Sequence, residues 1–468
     1  MPLIVAGAAL LAGVSFLAGG AARRHVASAV SEVALSSSWS CAGTTAGGGS
    51  LAPGELVIDD AGATPLEASV RLVAQDGESR SIGVSVPAGS GVRVPESFAG
   101  PASGEWAAAL VELYGGMGSV YQEVHTRTGS SMGACSPAAS ADWYFAGGSV
   151  LRNAALELSL VNPYPAAAVV DVSFATNEGE EQPLALQGVV VPARGLAVMN
   201  VGAALRQRLA IATMVTARTG EVVAWETERV ARAPTGAALP PGAASSATAL
   251  NPALSNPALS NPALLNPALP VAGVALTLGS GQRSRSWWWA DGGEPAGVTE
   301  TYDVYNPGTA PAHVNLELLP GGKGTGSNFS WTVGPASLSA VTTNGHPWAL
   351  PGVAYAAHVT STVPVVAVRS VQAGAPSPVR GIASQLGLVQ GARRWLVAGG
   401  SDMEAFSASG GSVFVFERSG GHLQRTEGVS LAANGHVSFL LPGASHTFVV
   451  EGSAPIMVSG QAVALRRS

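Results

Sequence analysis

Residues able to do chemistry are sparse in this chain, and their spacing is poor for any standard reaction. The histidines stand at 25, 125, 313, 346, 358, 422, 436 and 446. None forms an HExxH pair, and a zinc protease needs two imidazoles one helical turn apart with a glutamate between them. His422, His436 and His446 are close in sequence but have no carboxylate cluster around them, so strand and loop positions account for them. There is no GxSxG turn to expose a nucleophilic serine. The glycine-rich run Gly321–Gly326 surrounds Lys323, but Gly324 stands where a phosphate loop needs Ser or Thr for magnesium, so it reads as a hairpin turn. Asp59-Asp60 and Asp291 lack the regular acidic spacing of a calcium loop. Glu178, Glu180 and Glu181 share one apparent turn and look solvated, whereas glycoside hydrolysis needs two opposed carboxyls. The expectation is a protein with no catalytic residues, no metal site and no cofactor.

Two residue types remain. Cys41 and Cys135 are the only cysteines and flank one domain-sized segment. In an exported protein such a pair reads as a disulfide, closing a loop that stabilises by roughly 4 kcal/mol. Two unpaired buried thiols are the alternative. The aromatic blocks are more suggestive. Trp287, Trp288 and Trp289 are consecutive, so on a strand they cannot all face one core. Trp143 and Tyr144 open a similar block. Outward-facing rings could stack on sugar. The preferred reading is that they pack against a neighbouring unit and set the angle between units.

The elements that must position these residues are strands. The 468 residues carry 59 Gly and 31 Pro, which favours turns over long helices. Only 12% are charged and the net charge is −6, without a basic patch, which argues against nucleic-acid binding. One pattern recurs: a Trp-led block ending in Gly, a strand, an Asn-Pro turn, a Val-rich strand, a Val-Pro-Ala step and a closing strand pair. It begins at Trp39, Trp143, the Trp287–Trp289 block and Trp395. Trp143 follows Trp39 by 104 residues, and Trp395 follows Trp289 by 106. Trp289 follows Trp143 by 146, and the excess of about 40 matches a linker. Alternation in Val170–Thr176, with turn signals every ten residues or so, predicts half-buried strands. A unit of this size favours an immunoglobulin-like sandwich.

The expected layout is therefore all-β, with tandem immunoglobulin-like sandwiches after an apolar leader. Residues 1–29 would be a signal peptide or membrane anchor, and the uncharged run Leu3–Ala22 is long enough for either. Residues 30–138 would form a divergent first repeat holding the disulfide, and 139–233 a second. Residues 234–272 would be a Pro-rich spacer, 273–384 a third repeat and 385–468 a trimmed fourth. Within the spacer, Asn251–Pro270 repeats an NPALS-like unit, and a proline in each unit prevents a stable helix. A stack of turns or a partner-binding tract would also fit it.

The WYFAGG and WWWADGG openings, the VNP and YNP turns, and the closing VTSTVPVVAVRSV resemble actinobacterial secreted proteins grouped as domain of unknown function 5719. The resemblance covers most of the chain after Trp39 and is strongest in the second and third units. It implies export and a cell-envelope setting, and brings no catalytic residue with it. The functional expectation is a non-enzymatic extracytoplasmic scaffold or spacer that presents an interaction surface. The alternative is a module that binds wall or capsule polysaccharide through the Trp blocks, and a hydrolase ranks third. Its partner would be an envelope polysaccharide or another envelope protein, not nucleic acid. A membrane would be met only through the N-terminal segment.

Overall fold

The computed structural model describes residues 29–31, 35–46, 53–97, 106–126, 129–151, 153–231, 271–321, 325–346, 348, 350, 352–400, 402–419, 422–443, 446–459 and 462–466. The leader up to residue 28 and the NPALS tract lie outside them. No helix of the described residues is long and apolar enough to cross a membrane.

The chain is nearly all β, in several sheets. In the first unit, one sheet runs Ser37–Thr45, Trp106–Tyr114, Leu66–Ala74, Ser79–Val86. The other runs Gly91–Pro95, Glu55–Asp60, Gly118–Thr126, Gly129–Ala134. The later units reuse this order. Leu66–Ala74, Ala168–Thr176 and Ala312–Pro320 are equivalent strands, and each buries alternate residues. Thus Val170, Val172 and Phe174 point to one core as Val314, Leu316 and Leu318 point to the next. Period-two patterning leaves the other face polar. In the third unit the closing strand pair is fused into one strand, Tyr355–Ala373. Its first part pairs with Ala312–Pro320 and Ser284–Trp289, and its second with Val298–Asn306 and Gly381–Leu386.

The expected Asn-Pro turns are built on buried amides. The Asn306 side chain donates to Ala310 O at 2.8 Å and Gly334 O at 2.9 Å, and accepts from Gly308 N at 3.0 Å. Asn162 does the same with Ala166 O at 2.7 Å and Tyr164 N at 2.9 Å. The first and last units lack Asn here but keep the device. Asp60 accepts from Gly62 N at 2.5 Å, and Ser407 Oγ donates to Gly410 O at 2.8 Å.

Strand pairing moves one expected boundary. Gly273–Leu278, placed by sequence at the start of the third unit, is hydrogen-bonded along Val223–Val230 and completes a sheet of the second. It matches Gly129–Ala134 of the first unit and Gly381–Leu386 of the third. The proline-rich tract is therefore an insertion between two strands of one unit rather than a spacer between units. Sequence order hid this, because a single edge strand carries no signal of which sheet it joins.

The units contact one another in cyclic order. A shared core joins the first and second through Ala42, Trp106, Trp225 and Leu276. Another joins the second and third through Tyr144, Ala146 and Val304. Phe406 of the fourth unit packs with Ala290 and Ala356 of the third. Leu396, Ala398 and Val449 of the fourth enter the core of the first, beside Trp39 and Leu56. Ala29–Ser31 then pairs in parallel with the last strand, Ala462–Arg466, so the two ends of the described chain meet. The architecture is a closed ring of four β units.

Candidate functional site: the seams between units

One four-residue strand segment builds every seam. It reads Trp39-Ser40-Cys41-Ala42, Trp143-Tyr144-Phe145-Ala146, Trp287-Trp288-Trp289-Ala290 and Trp395-Leu396-Val397-Ala398. Because side chains alternate across a strand, its first and third residues face their own core and its second and fourth face outward. The leading indole is fixed the same way in three units. Trp143, Trp287 and Trp395 donate through Nε1 to Val222 O (2.6 Å), Val365 O (3.1 Å) and Ile456 O (3.1 Å). The outward residues fill the seams: Tyr144 and Ala146 enter the core of the third unit, and Leu396 and Ala398 that of the first.

Each aromatic singled out in the sequence is thereby placed. Trp143 and Tyr144 are buried, as are Trp287 and Trp289, both 1% exposed. Trp288 is half-buried at the seam between the third and fourth units. Its ring stacks on His358, with centroids 3.4 Å apart, and on Phe406 of the fourth unit at 5.6 Å. Burial lowers the His358 pKa to about 4, so the imidazole is neutral near pH 7 and lies against the indole without a charge. The disulfide Cys41–Cys135 is formed and ties the two sheets of the first unit. Such bonds persist in oxidising surroundings.

The seams also bury charge, which composition did not reveal. Between the second and third units a cavity of about 20 Å³ is lined by Phe145, Glu226, Glu228, Val368, Ser370 and Ser384. Glu226 accepts from Thr213 Oγ1 at 2.6 Å, and Asp303 beside the cavity accepts from Ser370 Oγ at 2.7 Å. Burial pushes Glu226 up to about 8, and Glu228 and Asp303 to about 7. Three carboxyls in one place could suggest acid–base chemistry. The space holds about one water and excludes a substrate.

Other seam carboxylates are paired with cations. Arg369, 8% exposed, bonds Asp291, Gln385 Oε1 at 3.1 Å and Glu300 at 3.2 Å, and Tyr355 donates to the same Glu300. Glu404 approaches this group from the fourth unit and is pushed up to about 7 by burial and then by Asp291. At the closing seam, Arg418 Nε donates to Ala61 O at 2.8 Å and its charge acts on Asp60. Between the first two units Arg229 pairs with Glu157 and lies 5.5 Å over the Trp106 ring.

Glu55, Glu123 and His125 converge within 4.8 Å on the first unit, a grouping the sequence did not suggest because the three residues come from two strands. Arg93 already bridges the two carboxylates at 2.9 and 2.6 Å. A metal ion would have to displace that guanidinium, so the cluster reads as an ion-pair network. A second omission is an aromatic row around Phe329 and Trp331, whose signal was two aromatics at period two in SNFSWTV.

A closed all-β ring whose seams are packed rather than open is the class that fold and site define. The chain belongs to a family of unknown function, DUF5719, whose model matches residues 114–424. No curated protein matches it. Among solved structures, Thermotoga maritima 1070 is similar over 22% of this chain and 93% of its own, at 19% identity and TM-score 0.21. The Anabaena sensory rhodopsin transducer is similar over 18% of this chain and 80% of its own, at 25% identity and TM-score 0.17. A tetra-tandem repeat from the extending region of a large adhesion protein aligns over 95% of this chain and 98% of its own, at 13% identity and TM-score 0.12. At such scores these likenesses decide neither fold nor function.

Proposed function

We propose that the protein is a non-enzymatic, extracytoplasmic scaffold of the cell envelope, made of four immunoglobulin-like sandwich repeats joined in a ring. The observation that carries this reading is the use of the repeated Trp-led segment: its side chains are spent on cores and seams, and its outward residues join one unit to the next. Side chains committed to packing are unavailable for turnover. The Cys41–Cys135 bridge and the apolar run Leu3–Ala22 support export. A closed ring gives a rigid platform whose outer loops can meet an envelope polysaccharide or another envelope protein. A polysaccharide reading built on Trp143, Tyr144 and Trp287–Trp289 loses its basis, since these rings already have partners.

Fractionation of the producing cells combined with thiol labelling tests the address. The expected result is protein in the envelope or medium with Cys41 and Cys135 resistant to labelling until reduced. Cytosolic protein with both thiols free would contradict it.

A further inference from the structure

The closing seam, between the fourth unit and the first, is tethered differently from the other three. The chain passes from the first unit to the second between Ala134 and Asp142, from the second to the third between Leu278 and Ser284, and from the third to the fourth between Leu386 and Ala392. At the closing seam the tether is the strand Ala29–Ser31, which lies in the sheet of the fourth unit through a parallel pairing of three residues with Ala464–Arg466. The rest is non-covalent: a single antiparallel bridge between Ser90 and His446, the Arg418 bond to Ala61 O, and the packing of Leu396, Ala398 and Val449 on the first unit. This seam can part by giving up one short strand pairing, whereas the others stay linked by the chain.

A carboxyl is buried at its centre. Asp59 is 1% exposed, and strand alternation puts it on the face opposite Leu56 and Ile58. It stands between Ser119 on one neighbouring strand and Gly91 on the other. Gly91 leaves room for it, since a Cβ there would lie 2.2 Å from Asp59 Oδ1. Thr447 of the fourth unit, also 1% exposed, faces the carboxyl, and Asp59 Oδ2 has no hydrogen-bond partner. The charged and titratable groups around Asp59 do not neutralise it. Arg93 attracts it, but the guanidinium hydrogen-bonds Glu55 and Glu123 instead. Asp60 repels it, and Tyr121 is buried beside it. On the fourth unit His446 is paired with Glu417, and Arg418 acts on Asp60. Burial outweighs the attractions of Thr447 and Arg93 and pushes Asp59 up to about 7. Exposed to water by an open seam, the same carboxyl titrates near 4. The closed seam therefore holds a proton that the open one releases. Its contribution to closure is full below about pH 4, is lost as pH rises through 7, and is gone above about pH 8.

We propose that the closing seam is a proton-operated latch: the fourth unit stays docked on the first while Asp59 is protonated and parts from it as Asp59 ionises. This goes beyond the scaffold reading, because it gives the ring one place at which to open, and it does not depend on where the protein resides. The test places a thiol in the seam of the full chain with Ala398→Cys, the native disulfide left oxidised, and measures its labelling by a pyridyl disulfide reagent. Each rate is divided by that of a cysteine peptide at the same pH, so that it reports how often the seam opens. Between pH 5 and pH 8 the corrected rate is expected to rise by up to about a hundredfold, the ratio that folded and exposed values near 7 and 4 imply. A thiol in the second unit's core, Val172→Cys, reports unfolding of the whole chain and should be labelled more slowly at pH 8. Asp59→Asn should flatten the pH response, while Glu226→Gln at the second seam leaves it unchanged. Asp59→Ser serves as the second variant if Asp59→Asn fails to fold. The latch is overturned if the Ala398→Cys thiol is labelled no faster than the Val172→Cys thiol at pH 8, or if the pH response survives replacement of Asp59.

Discussion

The seam between the first and second units and the seam between the second and third do one job with opposite chemistry. The first is apolar: Trp225 is fully buried, and its ring lies so close to Gly133 that a Cβ there would meet it at 2.7 Å. Its charges are matched, Arg229 with Glu157, and the guanidinium also covers Trp106. The second seam buries Glu226 and Asp303 and part-buries Glu228 around a space of about 20 Å³, and their pKa values rise to between about 7 and 8. The ring therefore does not depend on one kind of contact. The Trp-led segment supplies the common geometry, and each seam adds its own chemistry.

The largest effect is expected where packing alone holds the units. Trp225→Ala removes a fully buried indole and should destabilise the chain by about 3–5 kcal/mol. Thermal unfolding of the variant checks this, and a loss below about 1 kcal/mol would mean the first seam is looser than described.

The second seam should respond to pH. Its carboxyls titrate near 4 in an unfolded chain and near 7 to 8 when folded, so the folded chain holds more protons over that interval. Their stabilisation is full below about pH 4 and is lost as pH rises through 8. Denaturant midpoints should therefore fall between pH 6 and pH 9, by an amount on the order of a few kcal/mol in stability. Glu226→Gln, which keeps the shape without the charge, should flatten the profile. An unchanged profile in that variant would remove the buried carboxyl as its cause.

A smaller effect belongs to Trp288, which is only half-buried. Trp288→Ala loses its stacking on His358 and Phe406 and should cost about 1–2 kcal/mol, less than the loss expected at Trp225. A loss as large as that of Trp225→Ala would place Trp288 among the core residues instead.

Much of this was legible in the sequence, because strand patterning is local. The alternation in Val170–Thr176 and the turns at Asn162 and Asn306 read directly, since a period of two and an Asn-Pro pair have few other meanings. What escaped was whatever depends on pairing across distance. The affiliation of Gly273–Leu278 is set by a partner strand that precedes the long insertion. The grouping of Glu226, Glu228 and Asp303 joins residues some 75 apart in the chain. The consecutive tryptophans showed that one ring must face outward, and the seam explains which: the alternation that buries Trp287 and Trp289 directs Trp288 to Phe406.

Ring closure is the claim on which these comparisons rest, and small-angle X-ray scattering of residues 30–468 tests it most directly. A closed body of this length should have a radius of gyration of about 22 Å, slightly enlarged by the proline-rich insertion. Four units strung end to end would give roughly twice that value and would contradict the ring.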